Sequence, residues 1–297
     1  MYKLIKVGLV LIIIGFIASV GFGLVSGASF NSYFGDEDFT YVEKTYAADD
    51  FTGFDFNLAN KAVIILPSET GNIDIKYYDS DLNWIEVDET GSELVLQSEN
   101  EWYSNLVVSF NLISISKYAD FYLYIPVTEK YDITIDTANG AVTLDDYLVA
   151  GNLYLTTSNG AITLTNVESD GAIDLTTSNG RITLTNVETP DEISADSRNG
   201  RIVLENVNAL AIDAETSNGS IIGSGLETSN IDAHTSNGNI ELSIIGSFAD
   251  YHLRMTTSNG SYYLNDHKVS TNNYNTDKNN ELLLDTSNGN IEVNFSS

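Results

Sequence analysis

Beyond residue 40 apolar residues fall at every second position through most of the chain, as in Ile173 and Leu175 and, a few residues later, Ile182 and Leu184. That period is the pattern of half-buried β-strands, whose successive side chains point to opposite faces. Between the two strands stands an Asn-Gly pair, and the pair recurs at Asn139, Asn159, Asn179, Asn199, Asn218, Asn237, Asn259 and Asn288. The spacings are 20, 20, 20, 19, 19, 22 and 29 residues, which is the self-similarity of a stacked repeat. Six of the eight corners read T-S-N-G, and the others read T-A-N-G and S-R-N-G.

Two apolar columns follow the same period. Ile133, Leu153, Ile173, Ile193, Ile212, Ile231, Leu253 and Leu282 precede the corner, and Val142, Ile162, Ile182, Ile202, Ile221, Ile240, Tyr262 and Ile291 follow it. Both columns are expected in the core. Asn-Gly is also the strongest two-residue hairpin signal, so the alternation alone fits either an antiparallel sandwich or meander, or an all-β parallel β-solenoid with rungs of about 20 residues. Identical corner residues favour the solenoid, because stacked rungs bring each asparagine above the last in an amide ladder. Asn166, Asn186 and Asn206, each followed by valine, suggest a second ladder.

The pattern divides the chain into four parts. Residues 1–30 carry Lys3 and Lys6 and then a run from Val7 to Phe30 without a charge, long enough for the ~20 residues of a membrane-spanning helix. The lysines place its N-terminus in the cytoplasm and the remainder outside. Ser26, Gly27 and Ala28 resemble a signal-cleavage site, so secretion after cleavage is the alternative to a single-pass anchor. Residues 31–40 read as a stalk, 41–130 as an irregular β region capping the solenoid, with Phe51, Phe54 and Phe56 covering the first rung, and 131–297 as the repeat solenoid. The polar stretch H-K-V-S-T-N-N-Y-N-T-D-K-N-N, from His267, is expected to be a surface loop interrupting the last rung.

Charge narrows the partners. The chain has 42 acidic and 13 basic residues, a net charge of −29, and without Lys3 and Lys6 the exported part stands at −31. Such a surface repels phosphate backbones, so nucleic acid is excluded as a partner. There is no cysteine, which excludes disulfides, thiol catalysis and Cys-ligated zinc.

The membrane segment, the stretch F-T-G-F-D-F-N-L-A-N-K-A-V-I-I-L-P, the stretch F-Y-L-Y-I-P-V-T-E-K-Y-D-I-T-I-D-T-A-N-G and the T-S-N-G rungs together resemble the bacterial "putative adhesin" domain-of-unknown-function family. That family comprises β-solenoids and includes membrane-anchored, LiaG-like cell-envelope proteins. The resemblance implies an extracytoplasmic role, often beside envelope-stress signalling systems, and no established reaction.

Candidate chemistry is sparse. The corner asparagines are explained by their ladder without a ligand. Thr163, Thr165, Thr183 and Thr185 form a short outward array that Val203 and Glu205 interrupt, which argues against ice binding. Asp174, Asp213 and Asp232 share one outward column, and Asp136, Asp196, Glu215, His234 and Asp285 share its neighbour. Among them Asp174, Asp196, Asp213, Glu215 and Asp232 are weak candidates for holding Ca²⁺, although neither an EF-hand nor the calcium-binding nonapeptide occurs; a solvated acidic face is the simpler reading. No other cofactor is indicated. Arg181, Arg198 and Arg201 near Asp196 would be the constellation of a polysaccharide lyase or hydrolase, and surface salt bridges explain the same residues. The expectation is therefore a non-enzymatic binding, adhesion or structural module of the envelope, partnered by the membrane and by an envelope polymer or protein. An accessory to envelope-stress signalling and a polysaccharide-active enzyme are the alternatives.

Overall fold

The computed structural model describes residues 39–81, 83–100 and 120–296. The segment expected to span the membrane at 1–30, and nearly all of the 31–40 stalk, lie outside the described residues. Among the described residues no helix is long and apolar enough to cross a membrane. The strands in chain order are β1 (Phe39–Tyr46), β2 (Gly53–Asn57), β3 (Ala62–Pro67), β4 (Ile73–Ser80), β5 (Asn83–Asp88), β6 (Glu93–Asn100), β7 (Asp120–Ile125), β8 (Tyr131–Thr137), β9 (Val142–Thr157), β10 (Ile162–Ser169) and β11 (Ile173–Thr177). They continue as β12 (Ile182–Glu188), β13 (Glu192–Ser197), β14 (Ile202–Thr216), β15 (Ile221–Thr235), β16 (Ile240–Ile245), β17 (Tyr251–Thr257), β18 (Tyr262–Leu264), β19 (His267–Val269), β20 (Asn273–Tyr274), β21 (Asn280–Thr286) and β22 (Ile291–Ser296).

The repeat strands pair in parallel and in register. Val142, Ile162, Ile182, Ile202, Ile221, Ile240 and Ile291 are successive neighbours, as are Ile133, Leu153, Ile173, Ile193, Ile212, Ile231 and Leu282. All are buried. This is a parallel solenoid, and the antiparallel meander is excluded. The corner glycines agree: none has the positive φ that a two-residue hairpin turn demands. They are glycines because rungs approach too closely for a side chain, so that a Cβ on Gly180 would overlap the carbonyl oxygen of Gly160, and one on Gly160 that of Gly140.

Each corner is closed from inside by a hydroxyl that donates to a carbonyl of the neighbouring rung, and in the corners from Thr137 to Thr216 the same hydroxyl, buried, also accepts from the corner glycine. Thr177 Oγ1 accepts from Gly180 N at 3.0 Å and donates to the Gly160 carbonyl of the preceding rung at 3.1 Å; Thr157 and Ser197 repeat both bonds. Outside runs the amide ladder, in which Asn179 Nδ2 donates to Asn159 Oδ1 and Asn199 Nδ2 to Asn179 Oδ1, each at 2.7 Å. The second bend of the rung uses left-handed backbone at Asp146, Asn166, Asn186, Asn206 and Gly225, with φ between 52° and 64°, a conformation that Asn, Asp and Gly tolerate. There Asn166, Asn186 and Asn206 each donate to the side-chain oxygen one rung before, beginning at Asp146, at 2.7 to 3.0 Å.

The first rung lies within the 41–130 region: β2 pairs with β8 and β3 with β9, and Asn139 Nδ2 donates to Asn60 Oδ1 at 2.6 Å. Phe54 and Phe56 do not cover this rung; they project from β2 into its core, because Phe54 lies between Leu94 and Ile133 and Phe56 between Leu96 and Ile135. Strands do the covering. β6 adds beside β2 and β5 beside β6, while β7 adds beside β3, β4 beside β7 and β1 beside β4. Glu89 clasps this end, accepting from Lys44 Nζ and Tyr46 Oη at 2.7 Å each.

At the other end the rungs do not stack in chain order. β21 and β22 insert between the β15–β16 rung and the β17–β18 rung, so the ladder runs from Asn237 to Asn288 and only then to Asn259, at 2.9 Å per step. The exchange leaves Tyr262, the one aromatic in an otherwise aliphatic column, on the outer rung and half-buried, with Ile291 on its inner side. Asn side chains stitch the insertion, as Asn239 Oδ1 accepts from Asn290 N and Asn290 Oδ1 from Ser261 N. The segment expected as a plain surface loop pairs in part: β19 adds antiparallel to β18 and β20 to β17. Those pairings cover the outer edge, which an open stack would leave exposed.

Two measurements of stability follow from the corners. Gly180→Ala should cost about 3 kcal/mol, because backbone rather than a flexible side chain opposes the new methyl group. Asn179→Ala removes two exposed amide bonds and should cost only about 1–2 kcal/mol. Chemical denaturation that ranks the two the other way would overturn the close-approach account. At the second bend Asn186→Gly keeps the left-handed backbone while Asn186→Ala does not, so thermal melts should place the alanine variant below the glycine one.

Candidate functional site

Three surface regions carry chemistry. The first is the outward acidic face on β11, β13, β21 and the later halves of β14 and β15. Asp213 and Asp232 are neighbours, but Ser194 separates Asp213 from Asp174. In the adjacent column Asp196, Glu215, His234 and Asp285 are contiguous, whereas Thr156 and Thr176 separate Asp136 from Asp196. His234 Nδ1 lies 3.3 Å from Asp285 Oδ1. Packing between neighbours, followed by the charges of Asp232 and Glu192, raises the Asp213 carboxyl above its ordinary range. Burial also leads the rise of Asp196, with Glu215 and Asp174 adding and Arg198 opposing. Asp232 is raised by burial and by Glu215 and Asp285, against the pull of His234. Among the described residues no three Asp, Glu or His side chains converge as metal ligands. The described carboxylates run in columns rather than around one point, and what such columns offer a cation is repulsion to screen.

The second region holds the arginines. Arg181 and Arg201 stand on consecutive rungs just after the corner, where their carbonyls accept from Ile162 N and Ile182 N. Arg198 occupies the corner itself and acts on Asp196 through its charge. None of the three comes within salt-bridge distance of a carboxylate among the described residues. Glycoside hydrolysis uses two carboxyl groups flanking the scissile bond, whereas this cluster holds one, Asp196, with three arginines, and neither the tyrosine groove described below nor the groove lined by Glu168, Glu188 and Leu210 includes any of the four.

The third region was missed by the sequence reasoning. On the outward face of β1, β4 and β7, Tyr41, Lys76, Tyr78, Asp120, Tyr122 and Tyr124 line a groove of about 310 Å³. Alternation places Tyr122 and Tyr124 on the same side of β7, with Leu123 buried between them. Their rings lie 6.4 Å apart and nearly parallel, at 16°. The Tyr41 and Tyr78 rings meet at 5.3 Å with a 58° tilt. Lys76 Nζ sits 5.0 Å from the centre of the Tyr124 ring and 3.1 Å from Glu43 Oε1, whose hydrogen bond raises the lysine and keeps it cationic. Tyr122 Oη donates to Asp120 Oδ2 at 3.4 Å, and burial together with that carboxylate holds the phenol neutral by raising it. The signal in the sequence was tyrosine at outward positions of F-Y-L-Y-I, where the repeat rungs carry threonine.

For the acidic face the linkage has a definite sign. Carboxyls raised in the folded state bind more protons there than in the unfolded chain, so they favour folding below their ordinary range and lose that contribution as pH rises through the folded values. The melting temperature should therefore rise between neutral pH and about pH 4, and Asp213→Asn should flatten that rise. An unchanged slope in the variant would remove Asp213 from the account. Matched NaCl and CaCl₂ buffers at equal ionic strength should give equal melting temperatures, and a saturable calcium effect would contradict screening.

A crystal structure described as a "putative adhesin" from Bacteroides fragilis is 16% identical, with a TM-score of 0.48 over 86% of this chain and 97% of the other. Another so described, from Parabacteroides distasonis, is 12% identical, with a TM-score of 0.45 over 88% of this chain and 98% of the other. A "putative cell adhesion protein" from Clostridium sporogenes is 9% identical, with a TM-score of 0.27 over 87% of this chain and all of the other, 100%. None of the three is named as an enzyme, and no curated protein matches the chain. The family model described as Toastrack DUF4097 matches residues 51–294, from the strand-covered first rung to the inserted last one, and the chain belongs to that family.

Proposed function

We propose that the protein is a membrane-anchored, extracytoplasmic binding module of the cell envelope whose ligand is a neutral polysaccharide, held in the tyrosine groove. The groove carries this reading. Tyr122 and Tyr124 give the groove a half-exposed aromatic wall against which the apolar faces of sugar rings pack, with Lys76 over the Tyr124 ring. Asp120, Lys76 and Glu43 supply acceptors and a donor at the margin for hydroxyl groups. Charge selects among envelope polymers, because a domain at −31 disfavours anionic ones. A strand-paired stack gives these rings a rigid base, which lowers the ordering cost of binding. The uncharged run after Lys3 and Lys6 supports anchoring with the solenoid outside the membrane.

Binding of solubilised cell-wall glycans to the full chain, followed by calorimetry, tests the ligand. Tyr122→Ala with Tyr124→Ala should weaken it at least about tenfold, the effect of losing roughly 1.4 kcal/mol of stacking, with the melting curve retained. Binding that survives the double substitution would refute the groove. Protease shaving of intact cells tests the topology separately: the solenoid should be released, and full protection would place it inside.

A further inference from the structure

Asn-Gly is the dipeptide whose asparagine is most prone to deamidation, because glycine leaves its amide nitrogen unhindered. In that reaction the amide nitrogen of glycine gives up its proton and attacks Asn Cγ, the Cγ–Nδ2 bond breaks, and ammonia leaves. Water then opens the resulting succinimide to aspartate or isoaspartate. The chain carries eight such pairs, six of them in the same T-S-N-G context, so their intrinsic reactivities are nearly alike and their surroundings decide which reacts.

The surroundings differ along the stack. At Gly140, Gly160, Gly180, Gly200 and Gly219 the attacking nitrogen is engaged, donating to the buried hydroxyl three residues before at 2.8 to 3.3 Å. Among the described residues Gly238, Gly260 and Gly289 show no such bond. Of these three only Gly260 is exposed. The electrophile differs as well. Asn139, Asn159, Asn179, Asn199, Asn218, Asn237 and Asn288 are each held by ladder bonds on both sides. Among the described residues Asn259 ends the ladder, donating to Asn288 Oδ1 at 2.9 Å and receiving nothing from a further rung. At the opposite end the last asparagine of the ladder among the described residues is Asn60, and it is followed by Lys61 rather than glycine.

We infer that Asn259 is a spontaneous modification site of the folded protein and that the other seven Asn-Gly corners are protected by the stack. The product exchanges the terminal amide donor for a carboxylate facing Asn288 Oδ1, and the isoaspartyl form adds a backbone carbon to the corner. Modification therefore loosens the outermost rung, β17–β18, before any other.

The full chain in detergent, incubated at mildly alkaline pH and sampled over days by peptide mapping, tests this. Native protein should accumulate the amide-to-acid mass increment and isoaspartate at Asn259 at least about tenfold faster than at Asn159 or Asn179, the ratio produced by a difference of roughly 1.4 kcal/mol in local opening. In denaturant the six T-S-N-G sites should react at similar rates. Interior corners that keep pace with Asn259 in the native protein would overturn the inference, as would a denatured chain that keeps the native ranking. Thr177→Val, which removes the acceptor of Gly180 N while preserving shape, should accelerate reaction at Asn179. No acceleration in a variant with a cooperative melt would show that the hydroxyl is no guard.

Discussion

The contact between one rung's corner glycine and the carbonyl of the glycine before it sets the spacing on which the rest of the molecule depends. Strands in a parallel sheet lie ~4.8 Å apart, and a corner can follow that spacing only if nothing projects between its turns. Glycine removes the Cβ, the buried threonine ties the glycine N–H to the preceding carbonyl, and the asparagine amide closes the outside. Each of these groups satisfies a polar atom that the turn would otherwise strand. Once the corner repeats at strand spacing, the Ile and Leu columns follow it into register.

Ends impose the opposite demand. A stack of identical rungs has no reason to stop, and its last strands would expose unpaired backbone. Both ends depart from the repeat in the same way, with aromatic residues and antiparallel strands. Phe54 and Tyr131 pack at 5.0 Å near one end, and Phe248 and Phe295 at 5.4 Å near the other. The out-of-order last rung belongs to this logic, because it moves Tyr262 outward and leaves Ile291 and Val293 in the interior.

The two faces of chemical interest differ in kind. The acidic columns arise from the repeat: a carboxylate at one outward position is brought beside those of its neighbouring rungs whether or not that proximity is useful, and desolvation between strands, followed by like charge, raises Asp196, Asp213 and Asp232. The tyrosine groove lies where the repeat has ended, on strands that cover the first rung. Release from the corner pattern lets β1, β4 and β7 carry side chains chosen for what they contact.

Fold class, period, corner residues and core columns were legible in the sequence, since all of them rest on spacing along the chain, and a parallel stack turns equal spacing into contact. Even the second bend could be read from Asn166, Asn186 and Asn206. Asn60 is hidden because Lys61 replaces its glycine, and Tyr262 holds its place in the column by spacing although the structure leaves it half-buried on the outer rung. Tertiary structure alone decided what depends on pairings between distant, unlike segments: that β2 and β3 form the first rung, that Asn288 precedes Asn259 in the ladder, and that Tyr41 and Tyr78 line one groove with Tyr122 and Tyr124 across three strands. Such pairings leave no period to read, because a strand of unlike sequence joins a sheet, parallel or antiparallel, wherever it meets a free row of backbone groups and a matching apolar face.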